Sequence, residues 1–341
     1  MTTLAKSNGV VSLGLTRKDF QSDQVVRWCP GCGDYAILAQ MQKVLPELDI
    51  PRENFVFVSG IGCASRFPYY METYGFHTIH GRAPAIATGI KVTNPELSVW
   101  VISGDGDALS IGGNHLIHAM RRNVGLKIIL FNNRIYGLTK GQYSPTSLSG
   151  ARTKSTPYGS VDYPIHPLAL ALGAECTFIG RTLDRDQKHM AAMLTEAARH
   201  EGTAFLEILQ NCIVFNDGAW HQYTEKGMKE QNVLYLEDGK PLLFGPDNDR
   251  KGIRIDDFRA EIVPAGSPGI AVHREDDTHG GYAFLLSRLD AEGGPMPVGV
   301  LRRMERPSFE RLVVDQVAAA QAKGEGDIDQ LLRSGDIWEH K

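Results

Sequence analysis

The chain has 341 residues, room for about two domains at roughly 100–200 residues each. Its 36 Lys and Arg against 40 Asp and Glu leave a formal charge of −4, which excludes a protein held to nucleic acid or to a membrane surface by bulk charge. With 42% hydrophobic and 22% charged residues, and no apolar run approaching the roughly 18 residues of a membrane span, the composition excludes wholesale disorder and a transmembrane helix.

Residues 1–22 lack the apolar core of a secretory signal and read as a loose leader. From there to about residue 215 apolar strands and amphipathic helices alternate. Residues 34–48 carry Ile37, Leu38, Met41, Val44, Leu45 and Leu48 at helical spacing. Residues 54–60 are a short β-rich run ending in glycine, and 97–107 repeat that arrangement. A helix is predicted over 114–123 and a buried strand over 126–133. A helix over 184–202 starts at Asp184 as cap and stops at Gly202, and a last strand covers 203–209. The alternation implies an α/β fold, a parallel sheet with helices on both faces. Ligands of such sheets sit at the carboxyl ends of strands. Four segments occupy that position: 59–63, 103–107, 131–134 and 209–212.

After residue 215 the rhythm is lost. Residues 233–245 read as a hairpin around Asp238-Gly239, and 306–326 as a terminal helix with Ser308 as cap and Gly324 as stop. The expected organisation is a leader (1–22), a ligand-binding domain (23–215) and an irregular C-terminal extension (216–341) serving as a subunit interface.

Two constellations carry chemistry. The turn Gly104-Asp105-Gly106-Asp107 lacks the third glycine of a dinucleotide fingerprint, since position 109 is Leu. Its aspartates would repel a pyrophosphate unless a divalent cation lay between them. Mg²⁺ takes hard oxygen ligands and bridges carboxylates to phosphates. The glycines let backbone N–H groups face the phosphates, and a helix starting near Gly112 adds its positive end. Asn133, 28 residues after Asp105 at the end of the next strand, offers a second oxygen and the Ile135 carbonyl a third. Asp and Asn are also ordinary turn residues, so the pairing at this spacing, rather than either turn alone, is the informative feature.

The second constellation is cysteine. Cys29 and Cys32 form a Cys-x-x-Cys pair, and Cys63 and Cys212 each follow a predicted strand. If these strand ends share one edge, four thiolates converge, suiting Zn²⁺ or a [4Fe–4S] cluster; spacing alone does not separate the two, and a redox disulfide or plain core thiols are the alternatives. Five cysteines, an odd number, fit a cytoplasmic protein better than a disulfide framework.

The turn and Asn132-Asn133 resemble the thiamine diphosphate motif. Together with WCPGCGDYAIL, GIGCASR and HGRAPAIATGIK they resemble the β subunit of the 2-oxoacid:ferredoxin oxidoreductases over about residues 24–220, most closely the 2-oxoglutarate members. The resemblance implies a thiamine-diphosphate-binding fold, with Mg²⁺ on Asp105, Asn133 and the Ile135 carbonyl. It implies one [4Fe–4S] cluster on Cys29, Cys32, Cys63 and Cys212. Gly62, Cys63, His80, Gly81, Gly104, Gly106, Asp107, Tyr136, Gly137, Leu138 and Thr139 complete the implied cofactor-contacting set. Cys176 has no counterpart and is expected to be a core or surface thiol. The resemblance also implies decarboxylation of a 2-oxoacid with coenzyme A, electrons leaving through the cluster to ferredoxin, and an α subunit that supplies the second thiamine-binding lobe this chain lacks. His80 is a candidate contact to the diphosphate or to the substrate carboxylate. Arg66, three residues past Cys63, is a candidate for the distal carboxylate of 2-oxoglutarate, against a plain surface or interface arginine. Pyruvate or a branched-chain 2-oxoacid as substrate, a non-redox thiamine enzyme with zinc, and a non-catalytic scaffold are the competing readings.

Overall fold

The computed structural model describes residues 14–340. Its main sheet has eight strands: β1 (Phe55–Ser59), β2 (Tyr74–His77), β3 (Ser98–Gly104), β4 (Leu126–Asn132), β5 (Phe178–Leu183), β6 (Ala204–Leu209), and, after a three-stranded sheet in between, β11 (Met296–Arg303), with β7 (Val233–Tyr235) at the edge. The order is β2-β1-β3-β4-β6-β5-β11-β7. The six strands β1 to β6 run parallel, β11 runs antiparallel to β5, and β7 runs parallel to β11. The small sheet joins β8 (Leu243–Phe244), β9 (Lys251–Asp256) and β10 (Arg259–Pro264), all antiparallel. Helices α1 (Asp34–Val44), α2 (Ala83–Thr93), α3 (Asp105–Leu109), α4 (Gly113–Arg121), α5 (Pro167–Gly173) and α6 (Gln187–Arg199) connect the parallel strands. Short α7 (His221–Thr224) and α8 (Lys229–Asn232) precede β7; α9 (Gly281–Arg288), α10 (Phe309–Gln321) and α11 (Ile328–Leu332) belong to the C-terminal part.

Strands β1, β3, β4 and β6 formed where apolar runs predicted them, because their side chains alternate between two buried faces, whereas the exposed edge strand β2 and strand β5 are not among those expected. Val56, Val58, Val99 and Val101 pack into one core, and Phe55, Phe57, Trp100 and Ile102 into the other. Phe57 stacks on Trp100 at 5.9 Å between ring centroids.

Five expectations are corrected. Residues 1–13 of the expected leader lie outside the described residues, but Phe20 is fully buried edge-on to Phe55, so residues 17–20 are anchored rather than loose. The helix expected over 34–48 ends at Val44, and Leu45–Leu48 tighten into a 3₁₀ turn because Pro46 has no N–H for the helical ladder. The cap of the helix expected over 184–202 is Asp186, which accepts from the His189 N–H; Asp184 instead accepts from the Asn211 N–H at 2.8 Å. The hairpin over 233–245 does not form. Asp238-Gly239 does turn, with Gly239 at φ +71°, but the flanking segments pair with β11 and with β9, in different sheets. Finally, the residues after 215 are not a separate irregular body, since β7 and β11 extend the main sheet. The terminal helix has its expected cap, Ser308, and runs to Gln321.

His200, at the end of α6, stacks at an angle on Phe178 and shares a 2.8 Å hydrogen bond between Nε2 and the Thr177 hydroxyl. Burial, then the Lys127 and Arg303 charges, push its imidazole down to about 3. Between that value and the usual 6.5 the unfolded chain binds a proton that the folded one refuses, so stability rises with pH through this window and is lost on acidification. Urea midpoints should therefore fall from pH 7.5 to pH 5, with a smaller fall in His200→Gln; an unchanged pH dependence in the variant would contradict this account.

Candidate active site at the strand ends

The turn expected to hold phosphate is built around Asp107. β3 ends at Gly104, and α3 starts on the next residue. Asp107 is buried, and its Oδ1 accepts from the Gly81 N–H at 2.8 Å and the Ile61 N–H at 3.2 Å. Its Oδ2 accepts from the Ser103 hydroxyl at 2.7 Å. One carboxylate thereby joins the loop after β1, the loop after β2 and the end of β3. The packing leaves no space for side chains: a Cβ on Gly60 would fall 1.8 Å from Asp107 Oδ2, and one on Gly112 2.5 Å from the Asp107 carbonyl oxygen. Gly81 has φ +66°, and its Cβ would lie 2.4 Å from the Gly112 nitrogen. His80 is largely exposed, with Nδ1 3.6 Å from Asp107 Oδ1.

Asp105 is buried, and its Oδ2 accepts from the Ser144 and Thr146 hydroxyls, both at 2.5 Å. Burial pushes its carboxyl up to about 6, against those two hydrogen bonds. Among the described residues no Lys or Arg pairs with Asp105, so its charge is met by two hydroxyls and the backbone N–H groups of Gly106 and Asp105 itself, and a divalent cation is a fitting complement. Thr146 also donates to Asn132 Oδ1 at 2.9 Å. Asn132, the first of the two asparagines, is thus the one linked to Asp105. The Asn133 amide donates to Gln210 Oε1 at 2.8 Å, and its Oδ1 accepts from the Ile135 N–H at 3.1 Å. That carbonyl keeps a second lone pair. The donor set of Asp105, Asn133 and the Ile135 carbonyl is all oxygen, as Mg²⁺ requires. Tyr136 closes over the turn: its hydroxyl donates to the Gly106 carbonyl at 3.0 Å, and a Cβ on Gly106 would fall 2.2 Å from its ring.

The loop that follows reaches the cysteines. Cys29, Cys32, Cys63 and Cys212 line one cavity of about 200 Å³ with Asn133, Gly137 and Leu138. A Cβ on Gly137 would sit 3.5 Å from Cys212 Sγ and 3.6 Å from Cys63 Sγ. The Trp28 indole donates to the Cys63 carbonyl at 2.7 Å, and the Gln210 amide to Cys32 Sγ at 3.3 Å. Burial and the Asp34 carboxylate push the Cys63 thiol up to about 12 and Cys32 up as well, so a bound metal would have to displace their protons. Arg27, Arg66 and Lys140 line the same cavity and would offset thiolate charge. Among the described residues no three His, Cys, Asp or Glu side chains close on a single-ion position. A mononuclear zinc site with Zn–S near 2.3 Å would need sulfurs about 3.8 Å apart. A cluster spaces its four thiolates more widely, which suits four cysteines around a cavity. Cys176 is a core thiol, donating to the Phe178 and Thr203 carbonyls at 3.3 and 3.4 Å.

Arg66 lies between this cavity and a larger one of about 540 Å³ that also holds Arg27, Gly62, His77 and Leu138. Its Nε donates to the Tyr70 hydroxyl at 3.2 Å. Burial and the Arg66 charge push His77 down, so two cations face this space beside a neutral imidazole. Thr139 sits on the exposed part of the same loop.

Ser144, Thr146, Asn132, Gln210 and Trp28 escaped the sequence reading as site residues. The first two lie in the loop beyond Tyr136, and nothing in their identity foretells a bond to a residue some forty positions earlier.

Over residues 60–208 the chain matches the family model described as thiamine pyrophosphate enzyme, C-terminal TPP binding domain. It is 50% identical over 345 residues to the 2-oxoglutarate oxidoreductase subunit KorB of Mycobacterium tuberculosis, covering 98% of this chain and 92% of that one. The chain belongs to the 2-oxoacid:ferredoxin oxidoreductase β-subunit family. The β subunit of 2-oxoacid:ferredoxin oxidoreductase 1 from Aeropyrum pernix is 42% identical to it across 72% of this chain and 74% of the relative. The solved 2-oxoglutarate:ferredoxin oxidoreductase from Magnetococcus marinus, with 2-oxoglutarate, coenzyme A and succinyl-CoA bound, superposes with a TM-score of 0.77 at 31% identity, over 96% of this chain and 98% of that one. As a β subunit, the chain has an α subunit for a partner. No described helix is long and apolar enough to cross a membrane.

The glycine constraint is testable. Gly81→Ala should leave the sheet folded by circular dichroism yet weaken thiamine diphosphate binding at least about tenfold in a calorimetric titration. Affinity equal to that of the unaltered β subunit would show that the approach of Gly81 to Gly112 is not needed.

Proposed function

We propose that this β subunit carries the diphosphate half of the thiamine site and the electron-transfer half of a cytoplasmic 2-oxoglutarate:ferredoxin oxidoreductase. The observation that carries the reading is the loop from Asn133 to Gln142. One end lies against the Asp105 turn through the Tyr136–Gly106 hydrogen bond; its middle, Gly137, faces the Cys212 and Cys63 sulfurs, each within 3.6 Å of where its Cβ would sit. Mg²⁺ would be held by Asp105, Asn133 and the Ile135 carbonyl, and a [4Fe–4S] cluster by Cys29, Cys32, Cys63 and Cys212. Bound there, the thiamine ring supplies the electron sink for decarboxylation and the cluster a one-electron route to ferredoxin.

The chain's own residues do the rest. The glycine turn at the start of α3, with Asp105 held by Ser144 and Thr146, would hold the diphosphate through its bound cation. Asp107 fixes the His80-Gly81 loop, which leaves the His80 imidazole toward solvent and within reach of a substrate carboxylate or the diphosphate. Arg66, oriented by Tyr70 and seconded by Arg27, presents a guanidinium fork to the distal carboxylate of a dicarboxylic 2-oxoacid. Gly137 places no side chain toward the Cys212 and Cys63 sulfurs, so electrons would have a short path from the thiamine loop. Coenzyme A would take the acyl group at a site completed by the α subunit.

The test is to co-purify the chain with its α subunit, measure iron, magnesium and thiamine diphosphate, and follow viologen reduction with a panel of 2-oxoacids plus coenzyme A. Four irons per chain and preference for 2-oxoglutarate are expected; a colourless complex with stoichiometric zinc contradicts the reading. Arg66→Ala should raise the KM for 2-oxoglutarate about 10–100-fold, the worth of one charged pair, with little change for pyruvate. Equal losses on both substrates would remove Arg66 from substrate selection.

A further inference from the structure

A second cavity, of about 440 Å³, opens at the other side of the β4 end. Asn132 and Thr146, the pair that holds Asp105, form part of its wall, and Arg134, Arg181, Glu207, Arg288 and Asp290 bring charge to it. The charges are unevenly matched. Arg181 takes both carboxylates: its Nε donates to Glu207 Oε2 at 2.6 Å, and its Nη1 lies 3.5 Å from Asp290 Oδ1. Glu207 is further committed, since its Oε1 accepts from the Asn132 amide at 2.7 Å. Among the described residues neither Arg134 nor Arg288 has an ion pair.

Arg134 is the stronger anomaly. Its backbone is left-handed, at φ +57°, a conformation that costs a long side chain about 1–2 kcal/mol. The result is a guanidinium stacked on the Trp220 ring at 3.8 Å, with a buried Nε that has no hydrogen-bond partner. Stacking on the indole offsets only part of what a buried cation loses in leaving water. A strained backbone that delivers to a cavity a guanidinium whose buried Nε is unpaired is the pattern of a ligand site. His166 lines the same space, and burial and then the Arg288 and Arg181 charges push its imidazole down, which keeps it a neutral hydrogen-bonding group. Tyr163, also in the lining, is 90% exposed, so the cavity communicates with solvent.

We propose that this cavity binds an oxyanion, a small carboxylate or a phosphate, between Arg134 and Arg288. Three arginines face two carboxylates there, and one anion closes the difference. The site is separate from the cavity of Arg66 and does not depend on which 2-oxoacid the enzyme uses.

The test is calorimetric titration of the complex formed by the full chain and its partner subunit, with succinate as one probe and inorganic phosphate as the other. Saturable uptake of one equivalent per chain is expected for at least one probe, whichever it is, in the Arg66→Ala background, where the guanidinium proposed to draw succinate to the substrate cavity is gone. Arg288→Gln, at the end of α9, and Arg134→Leu should each weaken it at least about tenfold, the loss of one charge-assisted contact. Should Arg134→Leu fail to fold, Arg288→Gln decides alone. Absence of saturable uptake of both probes, uptake unaffected by Arg288→Gln, or uptake abolished by Arg66→Ala would each overturn the proposal.

Discussion

The Asp107 carboxylate is the constraint on which the site depends. Three loops leave the sheet at the carboxyl ends of β1, β2 and β3, and each carries residues of the proposed site: Cys63, His80 with Gly81, and Asp105. Without a tie these loops would drift independently, as strand-end loops do. A carboxylate is suited to the task because it accepts several N–H and O–H donors at once and each such bond is strengthened by the charge. Asp107 takes one donor from each loop, at 2.7 to 3.2 Å. The cost is paid in side chains elsewhere, since Gly60, Gly81 and Gly112 have no room for a Cβ. The second aspartate of the turn, which looks redundant next to Asp105, is what ties the rest of the rim together.

From that clamp the rim runs in two directions. Toward β4 and β6, Asp105 is held by Ser144 and Thr146, Thr146 reaches Asn132, and Asn132 reaches Glu207 and so the buried Arg181. Toward β1, the loop of Cys63 is fastened by the Trp28 indole and meets Gly137. Diphosphate turn and cysteine cavity are therefore parts of one hydrogen-bonded framework. Among the described residues there is one such framework, in a chain whose β-subunit family implies an α subunit as partner.

Legibility in the sequence followed the range of the interactions. β1, β3, β4 and β6 were readable because a parallel strand buried on both faces must be apolar throughout, and Gly-Asp-Gly and Cys-x-x-Cys were readable because their spacing is local. Asp184 and Asp186 are both adequate caps by residue type, and only the pull of the Asn211 N–H on Asp184 separates them. The segment 233–245 has sound turn chemistry, yet its strands find partners some sixty residues on for β7 and a few residues on for β8, a topological choice that no window reveals. The same holds for Asn132, whose link to Asp105 passes through a threonine fourteen residues downstream.

The most direct measurement is made on Asp107→Ala in the purified complex, with thiamine diphosphate affinity and iron per chain determined on one preparation. Because the loops of Gly81 and Cys63 hang on the same carboxylate, affinity should fall at least about tenfold and iron should fall with it, while the sheet stays folded. Wild-type affinity together with a full iron complement would contradict the claim that this residue holds the rim together.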